Sequence, residues 1–199
     1  MSTVIAPNLP PLPPPKPRLL TVADLAALPD ELPSGPIKYE LDNGNLVVIA
    51  PPGDTHGAAQ NKIGAYLFLH GELVGHGKAY GEVGVILRRN PDRVVGPDAC
   101  FVANASLPVK LSAEGYLETI PDIVVEVRSK NDTISELERK AGEYLAAGAK
   151  LVWVIDPLRS VVVVYEAGHA PRTLGPADAL TADGIIPGLR LSITDALRT

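Results

Sequence analysis

The run from Ile120 to Ser129 constrains this chain more than any other stretch. It is rich in β-branched residues and lies between Pro121 and the polar segment Ser129 to Asp132, so it reads as a strand. Its apolar residues Ile123, Val124, Val125 and Val127 are nearly continuous rather than alternating, which suits a strand covered on both faces. Glu126 sits inside that run. A buried glutamate is rare unless it is paired, protonated or bound to a metal, so Glu126 is either a neutralised structural residue or part of a site.

The segment downstream of the run defines its neighbourhood. Asp132 or Thr133 caps a helix whose apolar residues Ile134, Leu137, Ala141, Tyr144 and Leu145 keep helical spacing up to Gly148. Lys140 lies on the edge of that stripe, from where its ammonium can reach inward. Lys150 to Asp156 is the next strand. The strand-helix-strand crossover makes the two strands parallel neighbours, and the turn after Asp156 leads into an antiparallel continuation, Val161 to Tyr165.

Upstream, Thr21 to Leu28 reads as a short capped helix stopped by Pro29. Tyr39 to Leu41 and Leu46 to Ala50 form a hairpin around the turn Asp42 to Asn45, with Glu40 on its first strand. A helix capped by Asp54 or Thr55 follows, burying Ile63, Tyr66, Leu67 and Leu69, with His56 in its first turn. Ala79 to Arg89 and Val94 to Val102 read as two further strands separated by a turn at Asn90 to Asp92, and Asp98 interrupts the second. Ala103 to Thr119 is an irregular connection, and Arg172 to Leu174 and Leu189 to Ser192 supply short edge strands. These elements predict an α/β chain of the α+β kind, a central mixed sheet with helices on its faces. The domain occupies residues 21–199. Residues 1–20 form a proline-rich N-terminal arm, because the prolines between Pro7 and Pro17 favour extended polyproline II.

Composition excludes little beyond the coarse classes. No apolar run reaches the roughly 18 residues of a membrane span, the first residues lack the pattern of a secretory signal, and the one cysteine, Cys100, has no internal partner. A cytoplasmic location and a small buried role for Cys100 are expected. A net charge of -5 argues against non-specific nucleic-acid binding over the whole surface, though not against a local basic patch. His70, His76 and His169 lie beside glycines and are expected in solvent-exposed loops.

The acidic residues on apolar strands are the candidates for chemistry. Asp122 copies the Pro-Asp pair of Asp98 and is its rival as partner to Glu126. It is four residues from Glu126 on one strand, about 13 Å at ~3.3 Å per residue, too far for two ligands of one small cation. Asp98 can meet Glu126 across adjacent strands. Two carboxylates and a strand carbonyl, completed by water, suit Mg²⁺ or Mn²⁺. A lysine beside them would orient or activate an attacking water and balance transition-state charge.

Tyr39 to Gly44, His56 at a helix start, Gly96 to Asp98, Pro121 to Ser129, Lys140 to Tyr144 and Val152 to Pro157 together resemble the PD-(D/E)XK nuclease superfamily, and within it the Uma-type restriction-endonuclease-like family. The resemblance extends from about Thr21 to Leu197. It implies a restriction-endonuclease-like fold and a Mg²⁺-dependent phosphodiesterase, with Asp98 and Glu126 as metal ligands and Val127 contributing its carbonyl. The superfamily pattern puts lysine where this chain has Arg128, whose guanidinium stays charged and cannot act as a base. Lys140 matches the relocated lysine of the family. Glu40 matches an additional acidic residue of the site, and His56 is placed to contact phosphate or relay a proton. DNA is the implied substrate, and a homodimer follows by analogy, since cutting a duplex takes two sites. The competing reading is a catalytically silent domain of this fold that binds nucleic acid or a protein partner.

Overall fold

The computed structural model describes residues 18–33 and 35–198. The proline-rich run lies outside them.

Local sequence sets the first elements. Thr21 closes a capping box with Asp24 at the start of α1 (Val22–Ala26). After the minimal strands β1 (Glu31–Leu32) and β2 (Gly35–Pro36), β3 (Lys38–Asp42) and β4 (Asn45–Ile49) pair as the expected hairpin. Its turn residues Asn43 and Gly44 both take positive φ, the backbone a two-residue hairpin turn requires. Helix α2 (Asp54–Leu67) starts one or two residues earlier than a cap at Asp54 or Thr55 implies: the cap is Gly53, which has no side chain to bond there, and Asp54 Oδ1 accepts from the Thr55 amide inside the helix. A π-helical turn, Phe68–Glu72, extends α2 and contains His70, which stacks on Tyr66 instead of lying in a loop. Ile63 and Leu67 are buried as expected, but Leu69 is exposed on that turn.

The two strands expected over 79–89 and 94–102 are four. Ala79 to Arg89 divides into β5 (Gly77–Gly81) and β6 (Val85–Arg88), with Glu82 at φ 53° in the break. Val94 to Val102 divides into β7 (Arg93–Val95) and β8 (Ala99–Ala103). Pro97 has no amide hydrogen with which to continue a ladder. At each break the chain passes from one sheet to another, so β5 and β8 pair in the main sheet while β6 and β7 pair in a second one. A 3-10 turn at Asn104–Ser106 opens the irregular connection.

The main sheet adds β9 (Ile123–Val127), β10 (Leu151–Asp156), β11 (Val161–Glu166) and β12 (Arg172–Leu174), in the order β12-β11-β10-β9-β8-β5. Strand β9 is parallel to β10 across helix α3 (Ile134–Ala147), while β11 returns antiparallel. Thr133 and Glu136 form a capping box at the start of α3, and Gly148 ends it at φ 120°. The second sheet runs β4-β3-β7-β6. Strands β13 (Ala179–Thr181) and β14 (Arg190–Ser192) make a separate pair leading to α4 (Ile193–Leu197), so Leu189 to Ser192 is not an edge of the main sheet.

All of β9 and β10 is buried, in agreement with the continuous apolar pattern. Alternation divides their side chains between two cores. Ile123, Val125, Val127, Trp153 and Ile155 pack with Ala59, Ile63 and Leu67 of α2 and with the segment around Ile186 and Leu191. Val124, Val152 and Val154 pack beneath Leu137, Ala141 and Tyr144 of α3. Ile134, expected in that stripe, is exposed in the first turn. Glu126 shares the parity of Val124 and therefore points under α3. A third cluster joins α1 to the second sheet through Val22, Leu25, Leu41, Ile86 and Val94.

Close packing at the β5 edge yields a stability prediction. A Cβ on Gly77 would collide with the Val102 carbonyl oxygen and the Phe101 ring, both parts of a strand buried throughout. Gly77→Ala is expected to cost about 1–3 kcal/mol in urea denaturation; an unchanged midpoint would mean the β5–β8 edge yields freely.

Candidate active site

Four sequence-distant segments converge under α3. Glu126 from β9 accepts a hydrogen bond from the Tyr144 hydroxyl at 2.6 Å on Oε1 and from Lys140 Nζ at 3.0 Å on Oε2. The same ammonium donates to Glu40 Oε1 at 2.9 Å, so Lys140 bridges the two glutamates. Glu40 Oε1 also accepts from the Gly96 amide at 2.9 Å, which ties β3 to the β7–β8 joint. Glu126 and Glu40 are 5% and 6% exposed, so both carboxylates depend on these donors in place of water.

Lys140 reaches inward from its position on the edge of the stripe. Arg128 turns away: its Nη1 donates to Asp156 Oδ2 at 2.8 Å and its Nε to the Asp132 carbonyl oxygen. Arg128 therefore does not neutralise Glu126, whose donors are Lys140 and Tyr144. Lys130 is exposed in the loop before α3.

Asp98 sits at the joint between β7 and β8 instead of inside a strand. Antiparallel pairing of Ala99 with Val125 puts Asp98 opposite Glu126. Its Oδ2 accepts from the Val127 amide at 2.6 Å and lies 3.3 Å from His56 Nε2. Gln60, one turn beyond His56 on α2, donates to the Asp98 carbonyl oxygen at 3.2 Å and to Glu82 at 2.8 Å, and Lys38 pairs with the other oxygen of Glu82. Asp122 stands apart from this group. Its carboxylate accepts from the Ala103 amide at 2.7 Å and pairs with Lys150 at 2.7 Å, pinning the start of β9. Asp122→Asn is expected to cost about 1–3 kcal/mol of stability through the weakened pin while leaving cation affinity at Asp98 and Glu126 unchanged. Parallel denaturation and calorimetric titration check both parts.

Burial lifts the Glu126 carboxyl to about 7, with Lys140 opposing the rise and Asp98 and Glu40 adding to it. Burial acts to lower the Lys140 pKa, but Glu126 and Glu40 outweigh it and hold the ammonium more firmly protonated than a free lysine. The two directions oppose each other, since protonating Glu126 removes one of the counter-charges of Lys140. Two short donated bonds onto Glu126 favour its ionised form at and above neutrality, with proton uptake as the pH falls below about 7. At His56 burial works downward, and Asp98, with help from the Asp132 charge and the Val127 backbone, more than offsets it, so the imidazole pKa is raised overall. Burial drives the Cys100 thiol up, to about 12, so it is an inert core residue.

Arg93 and Tyr144 are members of the arrangement that the sequence reading missed. Arg93 is 3% exposed in β7 and donates to Leu41 O at 3.0 Å, lies 3.5 Å from Glu40 Oε2 and pairs with Glu143 of α3 at 2.8 Å. It thereby joins the second sheet to α3 beside Glu40. Arg139 extends the network to Glu143 and Asp42. The signal for Tyr144 was its place four residues after Lys140, one turn along the same helix face.

Comparisons with known proteins bear on the family and the fold. The Uma2 family, described as "Putative restriction endonuclease", matches residues 22–194. Among solved structures the chain is similar to one described as a putative nuclease belonging to DUF820 from Anabaena variabilis ATCC 29413, with a TM-score of 0.73 at 20% identity over 89% of this chain and 97% of that one. At that identity the likeness shows the fold, a restriction-endonuclease-like mixed sheet with flanking helices. No match was found among curated proteins.

Proposed function

Because the chain belongs to the Uma2 family, we propose that it is a Mg²⁺-dependent endonuclease that hydrolyses DNA phosphodiester bonds at the Glu40, Asp98, Glu126 and Lys140 cluster. The observation that carries this reading is the Lys140 ammonium bridging two nearly dry carboxylates at 2.9 and 3.0 Å, with Asp98 directly across the strand pair from one of them. Three carboxylates, Glu40, Glu126 and Asp98, thus gather at one place around Lys140, with Arg93 beside Glu40 and His56 beside Asp98.

The donor set fits a hard divalent cation. Among the described residues no three His, Cys, Asp or Glu side chains form a ready cage, and Mg²⁺ characteristically takes one or two carboxylates and keeps water and substrate oxygens for the rest. Asp98 and Glu126, with the Val127 carbonyl, would hold it; Mn²⁺ suits the same ligands. When bound, the cation would supply Lewis-acid polarisation of the phosphoryl group and a more acidic water.

The protein's own groups do the rest. Lys140 keeps its proton, so it orients the attacking water and stabilises charge developing on the phosphoryl oxygens as a donor, not as a base. Glu40 fixes Lys140 from the opposite side, and the Gly96 amide fixes Glu40. Tyr144 sets the rotamer of Glu126 through its 2.6 Å bond. Duplex cleavage needs two such sites, so a homodimer belongs to the proposal. Among the described residues no helix is long and apolar enough to cross a membrane.

The test is incubation of supercoiled plasmid and single-stranded DNA with the purified chain in Mg²⁺, Mn²⁺ or EDTA. Nicking that requires the cation and disappears with Glu126→Gln supports the proposal. Cleavage that persists in EDTA or in Glu126→Gln would overturn the proposal by pointing to a contaminant or another site, and no cleavage of any substrate while DNA is still bound would favour the silent, binding-only alternative.

A further inference from the structure

His56 lies outside the carboxylate and lysine set, yet its side chain is only 12% exposed and faces into the site. Its place follows from α2. The helix begins at Asp54 without a side-chain cap, and His56 in its first turn meets Asp98 just before β8, while Gln60, four residues on, reaches the Asp98 carbonyl oxygen. Two residues of one helix face thus address the backbone and the side chain of the same aspartate.

The contacts at Asp98 are unevenly divided between its oxygens: one hydrogen bond, from the Val127 amide, and one ion-pair contact, from His56. His56 Nε2 at 3.3 Å and the Val127 amide at 2.6 Å both meet Oδ2, and among the described residues no hydrogen bond reaches Oδ1. The other ring nitrogen, Nδ1, is buried with no partner among the described residues, and the ring faces the Asp98 carboxylate and the Val127 backbone. A carboxylate pinned through one oxygen by a rigid helix and a strand amide cannot rotate, and it offers the second oxygen in a fixed direction. Outer-shell donors of this kind orient a carboxylate ligand in advance of metal binding.

We propose that His56 is a positioning residue for the divalent-cation site, holding Asp98 by Oδ2 so that Oδ1 is presented to the cation beside Glu126. This rests on the metal-dependent reading above. Its role is orientation through the Nε2 donor, and the imidazole itself need touch neither cation nor DNA.

The experiment is Mn²⁺ titration of the purified chain without DNA, by calorimetry and by loss of the free-ion electron paramagnetic resonance signal. Wild type is compared with His56→Ala, His56→Phe, which keeps a ring without the donor, and His56→Gln, whose amide nitrogen can occupy the place of Nε2. Melting of each metal-free variant identifies those that fold, and Phe and Gln keep the comparison available should Ala fail to fold. The expected result is a loss of about 10–100-fold in Mn²⁺ affinity for the variants without a donor, with Gln retaining affinity within about threefold of wild type. Equal affinity in wild type and the folded Phe variant would overturn the role of His56 while leaving the metal site intact. A Gln variant as weak as Phe would also overturn it, because the donor would not be the cause. Absence of Mn²⁺ binding by wild type would overturn the metal-dependent reading, and this proposal with it.

Discussion

Glu126→Gln is expected to abolish cation-dependent cleavage, with a loss exceeding the roughly 10–100-fold that removal of an outer-shell partner causes, while leaving the protein folded. The amide has the shape of the carboxyl, and its oxygen can still accept from Tyr144, which donates at 2.6 Å in the parent chain. Lys140 keeps Glu40 as its counter-charge at 2.9 Å. The second negative charge is removed, and with it the 3.0 Å bond from Lys140, because the amide nitrogen stands where Oε2 accepted.

The same variant has a signature in stability. Burial raises the Glu126 carboxyl from an ordinary 4.5 to about 7. Between those values the folded chain holds a proton that the unfolded chain has released, so stability falls as the pH rises. The contribution is fully present below about 4.5 and is lost as the pH passes through about 7. A glutamine has no such proton. Denaturant unfolding at intervals from pH 5 to pH 8 is therefore expected to show Glu126→Gln gaining on wild type with rising pH. Parallel pH profiles would mean that Glu126 is ionised throughout and that Lys140 and Tyr144 fully offset its desolvation.

How much of this was legible in the chain depended on whether a residue's reason for being there was local. The β-branched run around Glu126, the capping box at Thr133 and the Asn-Gly turn at 43–44 each act within a few residues, and the structure has β9, α3 and the β3–β4 hairpin there. The parallel pairing of β9 with β10 followed from the handedness and length of one crossover. The division of 79–89 and 94–102 between two sheets was not readable from hydrophobic alternation, because a strand that changes sheets stays apolar on both sides of the break. Its marks were Gly84 and the Gly96-Pro97 pair, which in sequence look like interruptions of a continuous strand. Arg93 was missed for a related reason: a single arginine next to a turn looks solvated, and only the fold brings Glu40, Glu143 and the Leu41 carbonyl around it. Lys140 was readable from its place at the edge of the helical stripe together with its match to the relocated lysine of the family. Tyr144 was counted as core, and it is core, but its hydroxyl faces the one carboxylate in that core.

Lys140→Met should have the largest combined effect. It removes the ammonium that donates to Glu40 and Glu126 and replaces it with an apolar chain of similar length, leaving two carboxylates facing each other at 6% and 5% exposure. Breaking a buried pair by deleting one partner typically costs about 3–5 kcal/mol, and cleavage should vanish with the transition-state charge it stabilised. The pH dependence separates this cause from lost packing. Without Lys140 the opposing influence on Glu126 is gone, so its carboxyl rises beyond the about 7 of the parent chain. The stability deficit should be smaller near pH 5, where Glu126 is protonated in both proteins and the lost charge contact is the one to Glu40 at 2.9 Å, and should widen towards pH 8, whereas a packing defect would be the same at every pH. Combining the substitution with Glu126→Gln measures the coupling between the two groups. If the ammonium and the carboxylate act on each other directly, the double variant at pH 8 should regain about 0.5–3 kcal/mol over the sum of the single effects. Strict additivity would show that the 3.0 Å contact carries no coupling, and would leave Glu40 as the sole partner of Lys140.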